Sequence, residues 1–133
     1  MKVTFFVLLL CLAASTPLLA KEKGWSGNYT DNKYLNGQAV FQLNILQEGG
    51  SISVDFDAAY KDGHGCAPEA SGPAKAADKD TLKFSFTDSF DNSGTGTIKR
   101  VADGVILSIE TTRVADPRCV VFYKAKIPLS AAH

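Results

Sequence analysis

The chain has 133 residues, fourteen Lys and Arg against fourteen Asp and Glu, and a hydrophobic fraction of 45%. That length allows one domain. The zero formal charge removes the cationic excess that a nucleic-acid binder or a polybasic membrane-surface protein needs, and the hydrophobic fraction argues against a disordered chain.

Residues 1–20 read MKVTFFVLLLCLAASTPLLA. A positive start at Lys2, an apolar run from Val3 to Leu12 and small residues up to Ala20 have the layout of a secretory leader. The run is shorter than the roughly 20 residues of a spanning helix. Leu10 stands before Cys11, where a lipid-attachment box needs a small residue. The expected organisation is therefore a leader over 1–20 and one domain over 21–133, periplasmic or extracellular, with no membrane attachment after cleavage. Removing the leader leaves 133 − 20 = 113 residues and a net charge of 13 − 14 = −1. It also leaves two cysteines, Cys66 and Cys119, which in an oxidising compartment are expected to form a disulfide.

Period-two alternation, the mark of half-buried strands, then runs through the chain. Trp25 to Tyr29 is a weak first strand. Val40 to Ile45 and Ile52 to Ala58 alternate clearly, with Gly49-Gly50 as the turn between them. Ala70 to Ala76 is confined by Pro73 to an edge or an irregular stretch. Leu82 to Thr87 alternates again after the polar connector Ala77 to Asp80, and Gly94 to Lys99 is weaker. Val105 to Ile109 follows an Asp103-Gly104 turn, and Cys119 to Tyr123 is rich in β-branched and aromatic residues. No window shows helical spacing. The expected fold is all-β: a small antiparallel up-and-down barrel of about eight strands with one disulfide, or a sandwich.

No strong catalytic motif is present, so the chain is expected not to be an enzyme. His64, in the loop Asp62-Gly63-His64-Gly65-Cys66, is the one histidine placed to serve a hydrolase. Asp55 and Asp57 share a strand face and read as its wet side. No metal or cofactor is expected. The segment Thr87 to Thr97 concentrates Asp88, Asp91, Asn92, Ser93 and Thr95 beyond what a strand pair needs. A binding loop and a plain polar hairpin are its two main readings. A calcium loop is a weaker one, because the spacing differs from that of the known helix–loop sites. In Arg113 to Cys119, Asp116-Pro117 favours a turn, and a bridge to Cys66 would bring Arg113 and Arg118 toward His64.

Leader, small β domain, single bridge and the Ser93-Gly94-Thr95-Gly96 run followed by Lys99 and Arg100 resemble the small periplasmic lysozyme-inhibitor barrels of bacteria, although the tyrosine of their loop is absent here. That resemblance implies a non-enzymatic inhibitor of a lysozyme or other hydrolase. Its partner-binding residues would be Ser93, Thr95, Lys99, Arg100, Asp88 and Asp91. Gly24-Trp25-Ser26-Gly27-Asn28-Tyr29 is also similar to the first strand of lipocalin-like and avidin-like barrels. This implies an alternative, a small-ligand carrier whose cavity is lined by Trp25, Phe41, Phe56 and Tyr123.

Overall fold

Alternating segments need a second layer to cover their apolar side, and here the sheet supplies it by closing on itself. The computed structural model describes residues 24–132; the expected leader lies outside them. Eight strands run in chain order: β1 (Gly27–Lys33), β2 (Ala39–Glu48), β3 (Ser51–Tyr60), β4 (Glu69–Asp78), β5 (Thr81–Thr87), β6 (Ser93–Val101), β7 (Gly104–Arg113) and β8 (Ile127–Ala131). Each pairs antiparallel with its sequence neighbour, and β1 pairs with β8, giving a closed barrel. The expected all-β barrel with its Cys66–Cys119 bridge is what the chain forms.

One end of the barrel carries tight hairpins, with Glu48 opposite Ser51, Asp78 opposite Thr81 and Val101 opposite Gly104. The other end carries everything long: the turn Tyr34–Gly37, residues 61–68, residues 88–92 and residues 114–126. The first of these is left-handed at Leu35, Asn36 and Gly37. The Asn36-Gly37 dipeptide is the sequence signal for it, since those residues tolerate positive φ.

Two segments depart from expectation. Cys119 to Tyr123 is not a strand: Pro117–Phe122 form a short 3-10 helix, with Pro at its start and the Asp116 carboxylate accepting from Arg118 N. The eighth strand is instead Ile127–Ala131, where buried Ile127 and Leu129 flank an exposed Pro128. Ala70 to Ala76 belongs to a strand with neighbours on both sides, yet the proline leaves its mark. Pairing of β4 with β5 runs from Ala74 opposite Phe84 toward the tight turn and does not include Pro73.

The inward phase fills the barrel with Phe41, Leu43 and Ile45 from β2, Val54 and Phe56 from β3, Leu82, Phe84 and Phe86 from β5, and Val105, Leu107 and Ile109 from β7. The aromatic rings pack on one another. Phe56 lies 5.7 Å from Phe41, 5.1 Å from Phe86 and 6.1 Å from Tyr123, centroid to centroid. Of the four residues named for a ligand cavity, Phe41, Phe56 and Tyr123 thus belong to this stack. Trp25 lies under Arg100 at the tight-turn end, 3.8 Å from guanidinium carbon to ring.

Room for the rings comes from β6. A Cβ at Gly96 would stand 2.3 Å from Phe84 Cζ, and one at Gly94 would stand 2.6 Å from Glu110 O and 3.0 Å from Phe86 Cζ. Gly96→Ala is therefore expected to destabilise by about 1–3 kcal/mol through overpacking. Pairing it with Phe84→Leu should recover part of the loss in urea unfolding; a strictly additive double mutant would show that the ring is not the cause.

Candidate functional site

The six residues proposed to contact a partner separate by strand phase. Ser93, Thr95 and Lys99 lie on the outer face of β6, while Arg100 takes the inward phase of Gly94, Gly96 and Ile98. At the tight-turn end the Arg100 guanidinium donates to Gly24 O at 3.1 Å and Lys79 O at 2.9 Å, and pairs with Asp80 at 3.6 Å. It closes the barrel floor over Trp25. Ser93 and Lys99 are six residues apart on one strand, so about 20 Å separates them.

Asp88 also continues an inward phase, that of Phe84 and Phe86, and is only 5% exposed. One carboxyl oxygen accepts from Phe90 N at 2.7 Å and Asn92 N at 2.9 Å; the other accepts from Asn92 Nδ2 at 2.9 Å and from the Tyr123 hydroxyl. Burial first, and Asp88 second, push the Tyr123 phenol far above its ordinary range. Asn92, itself buried, offers Oδ1 to Ala115 N and Asp116 N, both at 2.8 Å. The segment 87–97 is therefore a hairpin whose 88–92 turn is held from within by Asp88 and Asn92. Asp91, at positive φ, is its exposed apex.

These bonds bring the long loops together. Residues 114–126 are joined to the 88–92 turn through Asn92 and through Tyr123–Asp88. They are joined to residues 61–68 through Cys66–Cys119, and to the Tyr34–Gly37 turn by Tyr34 Oη donating to Val121 O at 2.7 Å. Burial is the main reason the Tyr34 phenol rises to about 12. Tyr60 backs the arrangement, its ring 5.6 Å from Phe122 and 4.0 Å from the His64 imidazole. Composition could not reveal Tyr34, Asn92 and Tyr123 as braces. Outward from this frame project Lys61, Arg113, Arg118, Lys124 and the apolar Val114 and Val120, each of the two valines 43% exposed. Arg118 is held bidentate by Asp116, at 3.0 and 2.7 Å, and this keeps the Asp116 carboxyl below the usual range.

His64 is exposed and its Nδ1 contacts Asp62, whose carboxyl is lowered by that hydrogen bond. A neutral imidazole that donates its Nδ1 proton to the Asp62 carboxylate keeps Nε2 as an acceptor. Among the described residues no group of three or more His, Cys, Asp or Glu converges as a metal would require.

Next to residues 61–68, Asp57 stands directly across from Glu69, with Asp55 two residues along β3, beside a cleft of about 650 Å³ lined also by Thr87, Asp88 and Ser89. Burial and then these two neighbours raise the Asp57 pKa above 3.8. A carboxyl raised by folding stabilises least once ionised. The penalty is absent below pH 3.8 and grows as pH climbs through the raised value. Asp57→Asn is thus expected to stabilise the protein at pH 7 by a few tenths of a kcal/mol, and to do nothing at pH 3. Equal effects at the two pH values in thermal melts would contradict this origin.

Scanned against models of known protein families, against curated proteins and against solved structures, the chain gives no match.

Proposed function

We propose that this is a non-enzymatic binding protein, acting outside the cytoplasm, that docks the loop end of its barrel on a protein partner, with a lysozyme or another hydrolase as the leading candidate. The observation that carries the reading is the cross-bracing of three loops onto residues 114–126 by a disulfide and buried side-chain bonds. Surfaces fixed before association lose little freedom on binding, which favours affinity. The frame offers arginines beside exposed valines, a mixture suited to interface cores. Cations there complement the paired carboxylates of a glycosidase cleft. Ser93, opposite Arg113 in the β6–β7 register, and Asp91 belong to this end; Thr95 and Lys99 lie further down the wall. Inhibition assays on a panel of lysozymes and proteases test the reading, with Arg113→Glu and Val120→Asp expected to weaken any inhibition at least tenfold. Uniform inactivity at micromolar protein would end it.

A second reading rests on the Asp62–His64 contact, which holds an imidazole as a carboxylate-oriented base. Under it, ester substrates turn over and His64→Ala abolishes the turnover. Rates equal to buffer alone reject it.

A further inference from the structure

Antiparallel register sets Lys75 of β4 directly opposite Lys83 of β5, and Thr97 of β6 opposite Lys83. Opposed side chains of this kind have Cβ atoms about 5 Å apart, and like charges there repel. Lys99 adds a third cation, opposite Thr81. All three lysines are exposed, and none belongs to the ion pairs found among the described residues.

One row nearer the loop end, Ser85 faces Thr95, and Thr95 faces Glu110. A groove of about 770 Å³ spans both rows, with Pro73 and Ala76 giving it an apolar side. That size suits a small organic ligand. Its polarity is graded, with the two ammonium groups and the Thr97 hydroxyl in one row, and two hydroxyls ending in a carboxylate in the other.

We infer that this groove binds an anionic sugar, a sugar phosphate or a uronic acid. The anion sits between Lys75 and Lys83 and relieves their repulsion. Ring hydroxyls meet Ser85, Thr95 and Thr97 and donate to Glu110, while the C–H face of the ring rests on Pro73. A bare anion would leave Glu110 unused and be repelled by it. A neutral sugar would leave the lysine pair uncompensated, and a fatty tail would leave the hydroxyls of Ser85, Thr95 and Thr97 without partners.

The site is separate from the loop end, so it stands or falls independently of the proposed partner. The test is a chemical-shift titration of the disulfide-bonded protein with glucose 6-phosphate and with glucuronate, beside glucose, inorganic phosphate and dodecanoate. At least one anionic sugar is expected to saturate shifts at Lys83, Thr95 and Thr97, binding tenfold or more tightly than glucose, phosphate or dodecanoate; which sugar does so tells phosphate from carboxylate. Lys75→Gln/Lys83→Gln should weaken that binding at least tenfold with no fall in the unfolding midpoint, because both side chains are exposed. Glu110→Gln should weaken the sugar and strengthen inorganic phosphate. Absence of saturable shifts with both anionic sugars, phosphate or dodecanoate matching them, or binding unaltered in the lysine variant would each overturn the assignment.

Discussion

Asp88→Ala is expected to lower stability by about 3 kcal/mol or more, because four donors lose their acceptor at once. Two are backbone N–H groups of a tight turn, and two are side chains, one of them the buried Tyr123 hydroxyl. Asp88→Asn keeps one oxygen for the two backbone donors and should lose less than half as much. The loss should also spread. Asn92, released from Asp88, would no longer fix the amides of Ala115 and Asp116, and their hydrogen exchange should rise more than that of β2 or β3. Urea unfolding of both variants gives the energies. An alanine variant within about 1 kcal/mol of the parent would show that the buried network contributes little.

Removing the bridge, as Cys66→Ser/Cys119→Ser, is expected to lower stability by about 4 kcal/mol in the chain-entropy account, since it closes 53 residues. That span covers all of β4, β5, β6 and β7, so the cross-link restrains half of the barrel in the unfolded chain. The folded barrel should persist, because each strand keeps its ladder. The loop end should loosen, because residues 61–68 keep no other covalent tie to residues 114–126. Denaturation with and without reductant measures the first effect, and the inhibition assay reads the second. A reduced protein as stable as the oxidised one would mean that the bridge acts only locally.

Where the sequence was legible, one physical signal was responsible. Strands wet on one face alternate, so Val40 to Ile45, Ile52 to Ala58, Leu82 to Thr87 and Val105 to Ile109 all fall inside β2, β3, β5 and β7. Five consecutive apolar residues carry no period, so Cys119 to Tyr123 reads as a strand while the proline before them starts a 3-10 turn. The candidate site was read by polar density, which ignores phase. Extending the phase of Phe84 and Phe86 by two residues puts Asp88 inside, and extending that of Gly96 and Ile98 does the same for Arg100. Both were there to be read. The lysine pair was not, because Lys75 and Lys83 meet only through a register that no local pattern specifies.

The closure of the sheet is uneven. β1 and β8 are matched at Tyr29–Ala131 and Thr30–Ser130, with one further bond from Ala132 N to Asn28 O at 2.8 Å, whereas β2 and β3 are matched along their full length. The seam also joins residues about a hundred positions apart, so it carries the largest loop-closure cost of the barrel's strand pairs and is expected to zip last. β8 acts as a latch. A ribosome delivers this latch after every other strand, and until it arrives β1 and β7 remain open edges able to capture the β8 of a neighbouring chain. Refolding at high concentration is therefore expected to give domain-swapped dimers that dilution suppresses.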